Sequence, residues 1–216
     1  MEKIENISTT IPEDLKKCIA FHGHQCPGLV YGYLVARQAI KILTLKRSRD
    51  EEVVAVCEND SCAVDPFQVL LGTTAGKGNL IIKDYGKNAY TILNRASKTA
   101  YRFSRKQHYT YKGKDKEEFA RLDAAISEGS ETTRERWHHK HLKSEDLLSR
   151  PFDEVFSTEK VEFSMPPYAP LARSEACSTC GEMTMSTKMV CADNGNLLCI
   201  PCSKKISTDQ RKSAAE

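Results

Sequence analysis

The stretch Ala20-Phe21-His22-Gly23-His24-Gln25-Cys26-Pro27-Gly28 decides how the first part of the chain folds. It sets His22, His24 and Cys26 on alternate residues and then puts Pro27 where a helix can begin. Three soft or borderline metal ligands so close together are hard to account for by packing. Working backward, Thr10, Pro12 and Glu13 read as a capping box with proline in the first turn of a helix that runs to about Phe21. Gly23 ends that helix, because glycine tolerates left-handed geometry. Cys18 and His22, one helical turn apart, share the face that points at the next loop. Working forward, Leu29, Tyr33, Ala36, Ile40 and Leu43 recur every three to four residues and predict a long, mostly buried helix from Pro27. Cys26 then falls at its N-terminus, where unpaired amides and the helix dipole favour a thiolate.

A second segment answers the first. Val53-Val54-Ala55-Val56-Cys57 has strand character and delivers Glu58-Asn59-Asp60-Ser61-Cys62 at its C-terminal end. Asp65 and Pro66 start a short helix that ends at Gly72, and a glycine-rich loop follows to Asn79. That loop is no Walker A motif, since three residues rather than four separate Gly72 from Gly76-Lys77 and Gly78 replaces the Ser or Thr. Gly76 and the Lys77 charge still suit a small anionic ligand. His22, His24, Cys26 and Cys62 offer nitrogen and sulfur donors, a set that favours zinc or another late transition metal. An incomplete protein shell leaves a position for water or substrate, which Asp65 and Gln68 are close enough in sequence to orient. Other readings stay open: a metal-free nucleophile at Cys26, with His24 and Asp65 as its catalytic neighbours, a Cys26–Cys62 disulfide, or plain packing. Cys18 and Cys57 are the weakest members and read as buried thiols.

FHGHQCPGL, ENDSCAVDPFQ and GTTAGKGNL, taken together, resemble the signature of the FmdE family, named after the E component of formylmethanofuran dehydrogenase, over roughly residues 12 to 165. The resemblance implies an accessory or redox-linked component of a formylmethanofuran dehydrogenase type of system, working as a homodimer, with a catalytic role of its own left open. Many relatives lie outside that pathway, so the resemblance names a family and not a reaction. Where many members carry a further cysteine, this chain has Thr73. No recognisable molybdopterin or iron–sulfur motif accompanies the signature, so formyl oxidation is not expected of this chain alone. The competing function is a metal- or ligand-sensing regulatory protein.

Further strands are expected at Leu80–Ile82, 89–93 and 98–104, helices at 115–130 and 131–148, a connector over 151–161, and a last strand over 161–165. The order predicts an α+β domain, residues 1–165, whose helices pack on a largely antiparallel or mixed sheet. Nine Lys or Arg against three Asp or Glu between Arg95 and Arg121 read as a solvated outer face. The alternative is an anion or acidic-partner surface using Arg95, Arg102 and Arg105. His138, His139 and His141 beside Trp137 lack any accompanying carboxylate or cysteine motif and read as a charged surface helix.

A proline-rich linker over 166–173 leads to a second domain, 174–216. Cys177-x-x-Cys180, eighteen residues, then Cys199-x-x-Cys202 is a four-cysteine zinc signature. Asp193-Asn194-Gly195-Asn196 offers a hairpin turn inside it. The segment is too short and polar to hold a core unaided, so structural zinc supplies much of its folding free energy. It is similar to treble-clef or ribbon fingers of the DksA/TraR type. From Leu171 onward six basic and five acidic residues leave no basic footprint, which favours a protein partner over nucleic acid. Cys191, outside both pairs, is expected to be a packed or free thiol.

Composition sets the frame: 40% hydrophobic and 28% charged residues describe a globular protein, and a net charge of +3 does not argue for nucleic acid. No apolar run approaches the ~18 residues of a membrane span, and the first residues lack the apolar core of a signal peptide, so a cytoplasmic protein without a membrane role is expected. Nine cysteines in such a chain point to metal or thiol chemistry rather than a disulfide framework.

Overall fold

The computed structural model describes residues 11–213, which divide after Tyr168 into two compact units. Helix α1, Glu13–His22, begins after Pro12 with Glu13 and Asp14 in its first turn, where acidic charge complements the helix dipole. Proline therefore sits one place before the first turn rather than within it, and Thr10, the expected capping residue, lies outside the described residues. Gly23 closes the helix at φ 90°, its N–H donating to the Ile19 carbonyl. Helix α2, Pro27–Leu43, follows after a short turn and is buried over most of its girth.

Strand β1, Val53–Cys57, is buried at every position because both of its faces are covered. Val53, Ala55 and Cys57 join Val30, Val35, Ala36 and Ala39 of α2 in the main core, while Val54 and Val56 pack on the opposite face with Leu93 and Ala100. Strands β2 (Leu80–Ile82), β3 (Ala89–Asn94), β4 (Thr99–Arg105) and β5 (Phe156–Val161) complete a sheet of order β2-β1-β3-β4-β5. Within this sheet β1 and β2 run parallel, and the three other pairings are antiparallel. Burying each large aliphatic side chain in such a core contributes roughly 1.5–3 kcal/mol, so this layer dominates stability.

The strands on either side of the turn at 85–88 form as expected, with β1 lying between them in the sheet. One expectation is corrected. The last strand spans Phe156–Val161, inside the stretch read as a connector, and residues 162–165 are not strand. The cause is β5's place at the sheet edge, where Thr158, Glu159 and Lys160 face solvent and leave no apolar alternation to read. Beyond β5, Met165 packs against the second face of the sheet. Arg95 donates to the carbonyls of Pro166 and Pro167, and its guanidinium lies 4.2 Å from the Tyr168 ring centre.

Helices α3 (Lys116–Glu128) and α4 (Thr133–Ser149) form an antiparallel pair. Thr132 and Glu135 make a reciprocal capping box at the start of α4. Leu147 carries α4 into the main core. Within the second unit, β6 (Ser174–Ala176) pairs with β7 (Met183–Met185) and β8 (Met189–Cys191) with β9 (Leu197–Cys199), which runs straight into α6 (Ile200–Ser213). Among the described residues no helix is long and apolar enough to cross a membrane.

Candidate metal centre

Two glycines, Gly28 and Gly32, one turn apart on α2, let another piece of backbone come close. A methyl group on Gly32 would collide with the Ala63 backbone, and one on Gly28 would meet the Cys62 Cβ at 3.0 Å. The tight turn Cys62–Val64 that follows β1 is thereby seated against the start of α2. This seating also brings Asp65 to the C-terminal end of α1. No reading of single ligands pointed to these glycines, although small residues spaced four apart on an apolar helix are their signal.

His22 Nδ1–H donates to Asp65 Oδ2 at 2.6 Å, and Gln68 Nε2 donates to Asp65 Oδ1 at 3.0 Å. A carboxylate only accepts, so the proton belongs on Nδ1 and the Nε2 lone pair is turned outward. That nitrogen lies 3.7 Å from Cys26 Sγ. Cys26 is the N-cap of α2, its sulfur accepting from the Leu29 amide at 3.4 Å, and is 5% exposed. The rings of His22 and His24 have centres 4.5 Å apart. His22, His24 and Cys26 each bring one ligand atom within 4.8 Å of the others, and such a group could hold a metal ion.

Three features of this cluster differ from its linear reading. Asp65 binds His22, not His24. Cys62 is not among the three mutually close ligands but lies beside Cys26, and burial first, then the neighbouring Cys26, push its thiol pKa up. Both cysteines are free thiols. Trp137 of α4, read only as part of a surface helix, sets its ring edge-on to His24 at 5.4 Å, with Lys140 over the indole. Burial, then His22 and Lys140, lower the His24 pKa, which keeps its imidazole neutral and able to ligate. Cys18 and Cys57 are fully buried; burial foremost holds them at about 11 and about 12, so both stay protonated.

Other singled-out residues lie elsewhere. The Lys77 ammonium donates to the carbonyls of Gly72, Ser48 and Arg49, closing the glycine-rich loop on the chain that enters β1. Cys62 and Asp65 follow the other end of β1, which at five residues is about 17 Å long. Gly76 has open space around it. Thr73 in the same loop is fully buried and its hydroxyl finds no partner among the described residues. Arg102 makes a two-pronged contact with Glu58, and Arg105 lies over the Tyr31 ring, so these guanidiniums meet partners within the fold. The histidines of α4 do not converge: His138 faces Glu118, His139 stacks on Phe119 and His141 faces Glu145. A cavity of ≈ 1190 Å³ is lined by Gln25, the residue between His24 and Cys26 in sequence, and by Tyr33, Arg37, Tyr111, His141 and Arg150, with none of the three ligands in its wall.

In the second unit Cys177, Cys180, Cys199 and Cys202 bring their sulfurs within 4.8 Å of one another. The first pair sits on the knuckle after β6, turned by Gly181 at φ 75°; the second spans the end of β9 and the first turn of α6. Amides of Cys180, Cys199 and Thr179 aimed at the Cys177 sulfur bring its pKa down to about 6, whereas Cys199 and Cys180 crowding Cys202 push that thiol to about 12. Such mutual opposition is what a bound cation relieves. Cys191 lies outside the cluster and is exposed.

A family model described as "FmdE, Molybdenum formylmethanofuran dehydrogenase operon" matches residues 21–157. The chain is 32% identical over 179 residues to a probable S-adenosyl-L-methionine-binding protein of Archaeoglobus fulgidus, a match covering 78% of this chain and 48% of that one. The chain thus spans about half the length of the curated relative it matches. The crystal structure of a tungsten formylmethanofuran dehydrogenase FmdE-like protein from Syntrophus aciditrophicus aligns with a TM-score of 0.55 over 88% of this chain and 90% of that one, at 21% identity, and so shares its fold. With the signature residues, the α+β core and the family match in agreement, the chain belongs to the FmdE family.

Proposed function

We propose that this protein binds a transition metal, zinc before others, through His22, His24 and Cys26, and acts as an accessory or redox-linked component of the FmdE type. The observation that carries this is the convergence of three ligand atoms within 4.8 Å, with Asp65 on the far nitrogen of His22. Imidazole and thiolate donors fit zinc or a neighbouring late metal better than magnesium or calcium. Three protein ligands leave a position for water or substrate, and a metal there supplies Lewis acidity. The chain's own part is positional. Asp65, held by Gln68, orients His22; Trp137 keeps bulk water off His24; the Leu29 amide holds the Cys26 sulfur at the head of α2. Cys177, Cys180, Cys199 and Cys202 hold a structural zinc in a treble-clef arrangement that offers a surface to a protein partner. The family reading supports a homodimeric state, and the residue pattern supports a cytoplasmic setting.

Elemental analysis of reduced protein tests this. Two metals per chain are expected, one lost with Cys26→Ser and the other with Cys180→Ser. A single metal that survives Cys26→Ser would end the first-site reading.

A second reading, ligand sensing, draws on the name of the Archaeoglobus relative and on the cavity lined by Gln25, Tyr33 and Arg37. Its occupant would be S-adenosyl-L-methionine or a compound of similar mixed apolar and charged make-up. Calorimetric titration with S-adenosyl-L-methionine should give saturable heat that Tyr33→Ala weakens; no heat with folded, metal-loaded protein removes this reading.

A further inference from the structure

Cys26 belongs to two neighbourhoods at once. Its sulfur closes the three-ligand group with His22 and His24. The same sulfur faces Cys62 across Gly28: a methyl group placed on that glycine would stand 3.8 Å from Cys26 Sγ and 3.7 Å from Cys62 Sγ. The bare Gly28 lets the Cys62 Cβ come within 3.0 Å of where a side chain would start, and Gly32 one turn on lets the Cys62 turn settle there. Metal binding uses the first neighbourhood and leaves the second unexplained. Cys62 is the more accessible of the pair, half-buried where Cys26 is 5% exposed. Cys18 and Cys57 share neither property, each being fully buried.

We propose that Cys26 and Cys62 are an adjacent, oxidisable dithiol whose conversion to a disulfide withdraws Cys26 from His22 and His24, so that oxidation and metal binding exclude one another. The inference rests on the metal reading given above. Its oxidant is a low-molecular-weight disulfide. The Cys62 thiolate attacks one sulfur of that disulfide; the S–S bond breaks, a mixed disulfide forms on Cys62, and one small thiol leaves. The Cys26 thiolate then attacks the Cys62 sulfur and expels the second small thiol. Two protons pass from the cysteines to the two small thiols, the cysteine pair loses two electrons and the small disulfide gains them. A sulfur committed to a disulfide is no longer a thiolate donor, so the metal loses one of its three ligands. A bound metal, for its part, occupies the Cys26 sulfur and blocks the second exchange.

The test uses the full-length chain, reduced, either metal-free or loaded with zinc, and treated with oxidised glutathione. Peptide mapping follows the cross-link and a chromogenic chelator follows released zinc. Metal-free protein should yield a Cys26–Cys62 cross-linked peptide. Cys26→Ser should stop at a glutathione adduct on Cys62, and Cys62→Ser should leave the buried Cys26 unmodified over the same time. Zinc should slow cross-linking by roughly tenfold or more, because only unligated thiolate reacts. Each cross-link formed should release one zinc, which Cys62→Ser retains. Cys26→Ser, expected to hold only the finger's zinc, sets the baseline. Absence of the cross-link in protein that binds zinc at the first site would overturn this inference alone, as would zinc that stays bound after cross-linking. Absence of a first-site zinc in reduced protein would overturn the metal reading, and the exclusion with it, even where the cross-link forms.

Discussion

The two cysteine-bearing clusters reach similar ligand spacing by opposite means. The His22, His24 and Cys26 group sits where two helix ends and a turn are clamped by a packed core; Leu29 and Leu15 beside it are fully buried. The group at Cys177, Cys180, Cys199 and Cys202 has almost no core of its own, with only Leu198 buried among the described non-cysteine side chains around it. The first cluster is a product of folding. In the reading proposed above the second, once loaded with metal, is the reason for folding, since a small apolar complement cannot offset the entropy of ordering the chain around it. The lesson is that metal removal should separate the two units sharply.

The largest expected effect follows directly. Chelation or Cys180→Ser should unfold the second unit, which forfeits on the order of 10 kcal/mol of metal-coupled folding free energy. The first unit should keep its melting transition; scanning calorimetry with far-ultraviolet circular dichroism reads both, and a single joint transition would break the contrast.

The next tests the first unit from inside. Gly32→Ala should destabilise it by about 3 kcal/mol, through collision with the Ala63 backbone. Urea unfolding measures this, and a neutral result would mean the Cys62 turn is not seated by α2.

Asp65→Asn should leave stability nearly unchanged but lower first-site metal affinity by roughly 10–100-fold, because the partner that fixes the His22 tautomer is weakened. Competition with a chromogenic chelator reports it. Unchanged affinity would make Asp65 a packing residue only.

Thr73→Val should raise stability by about 1 kcal/mol, since it removes a buried hydroxyl that has no partner among the described residues. Thermal denaturation decides the sign.

The smallest effect is on pH. His24 titrates below its ordinary value of 6.5 in the folded protein. The unfolded chain therefore takes up a proton first as pH falls through that value, and metal-free stability declines in the window between 6.5 and the lower folded value. Trp137→Ala should narrow the window, since exposing His24 lets its pKa rise, as a histidine-resolved magnetic resonance titration would show.

Much of this was legible from residues alone wherever the information is local. The start of α2 at Pro27, the stop at Gly23, strand β1 and both Cys-x-x-Cys pairs are written in neighbouring residues. β5 escaped because an edge strand with one solvated face carries a polar sequence. The partner of Asp65 escaped because alternate histidines look equivalent in one dimension, while only His22 ends α1 on the face that meets the turn after β1. Lys77 looked like an anion anchor by its glycine context, yet its length lets it reach three carbonyls at the far end of β1.

What residue order determined by itself was the chemistry on offer: nitrogen and sulfur donors in two groups, helix breaks beside them, and the family signature. Tertiary structure alone decided which donors meet. Distances between Cys26, Cys62 and Asp65 depend on how closely α2 and the turn after β1 approach, and that approach is set by two absent side chains, at Gly28 and Gly32. Two glycines four apart on an apolar helix mark a close approach, but only in three dimensions does it become clear which piece of chain fills it and which sulfur faces which.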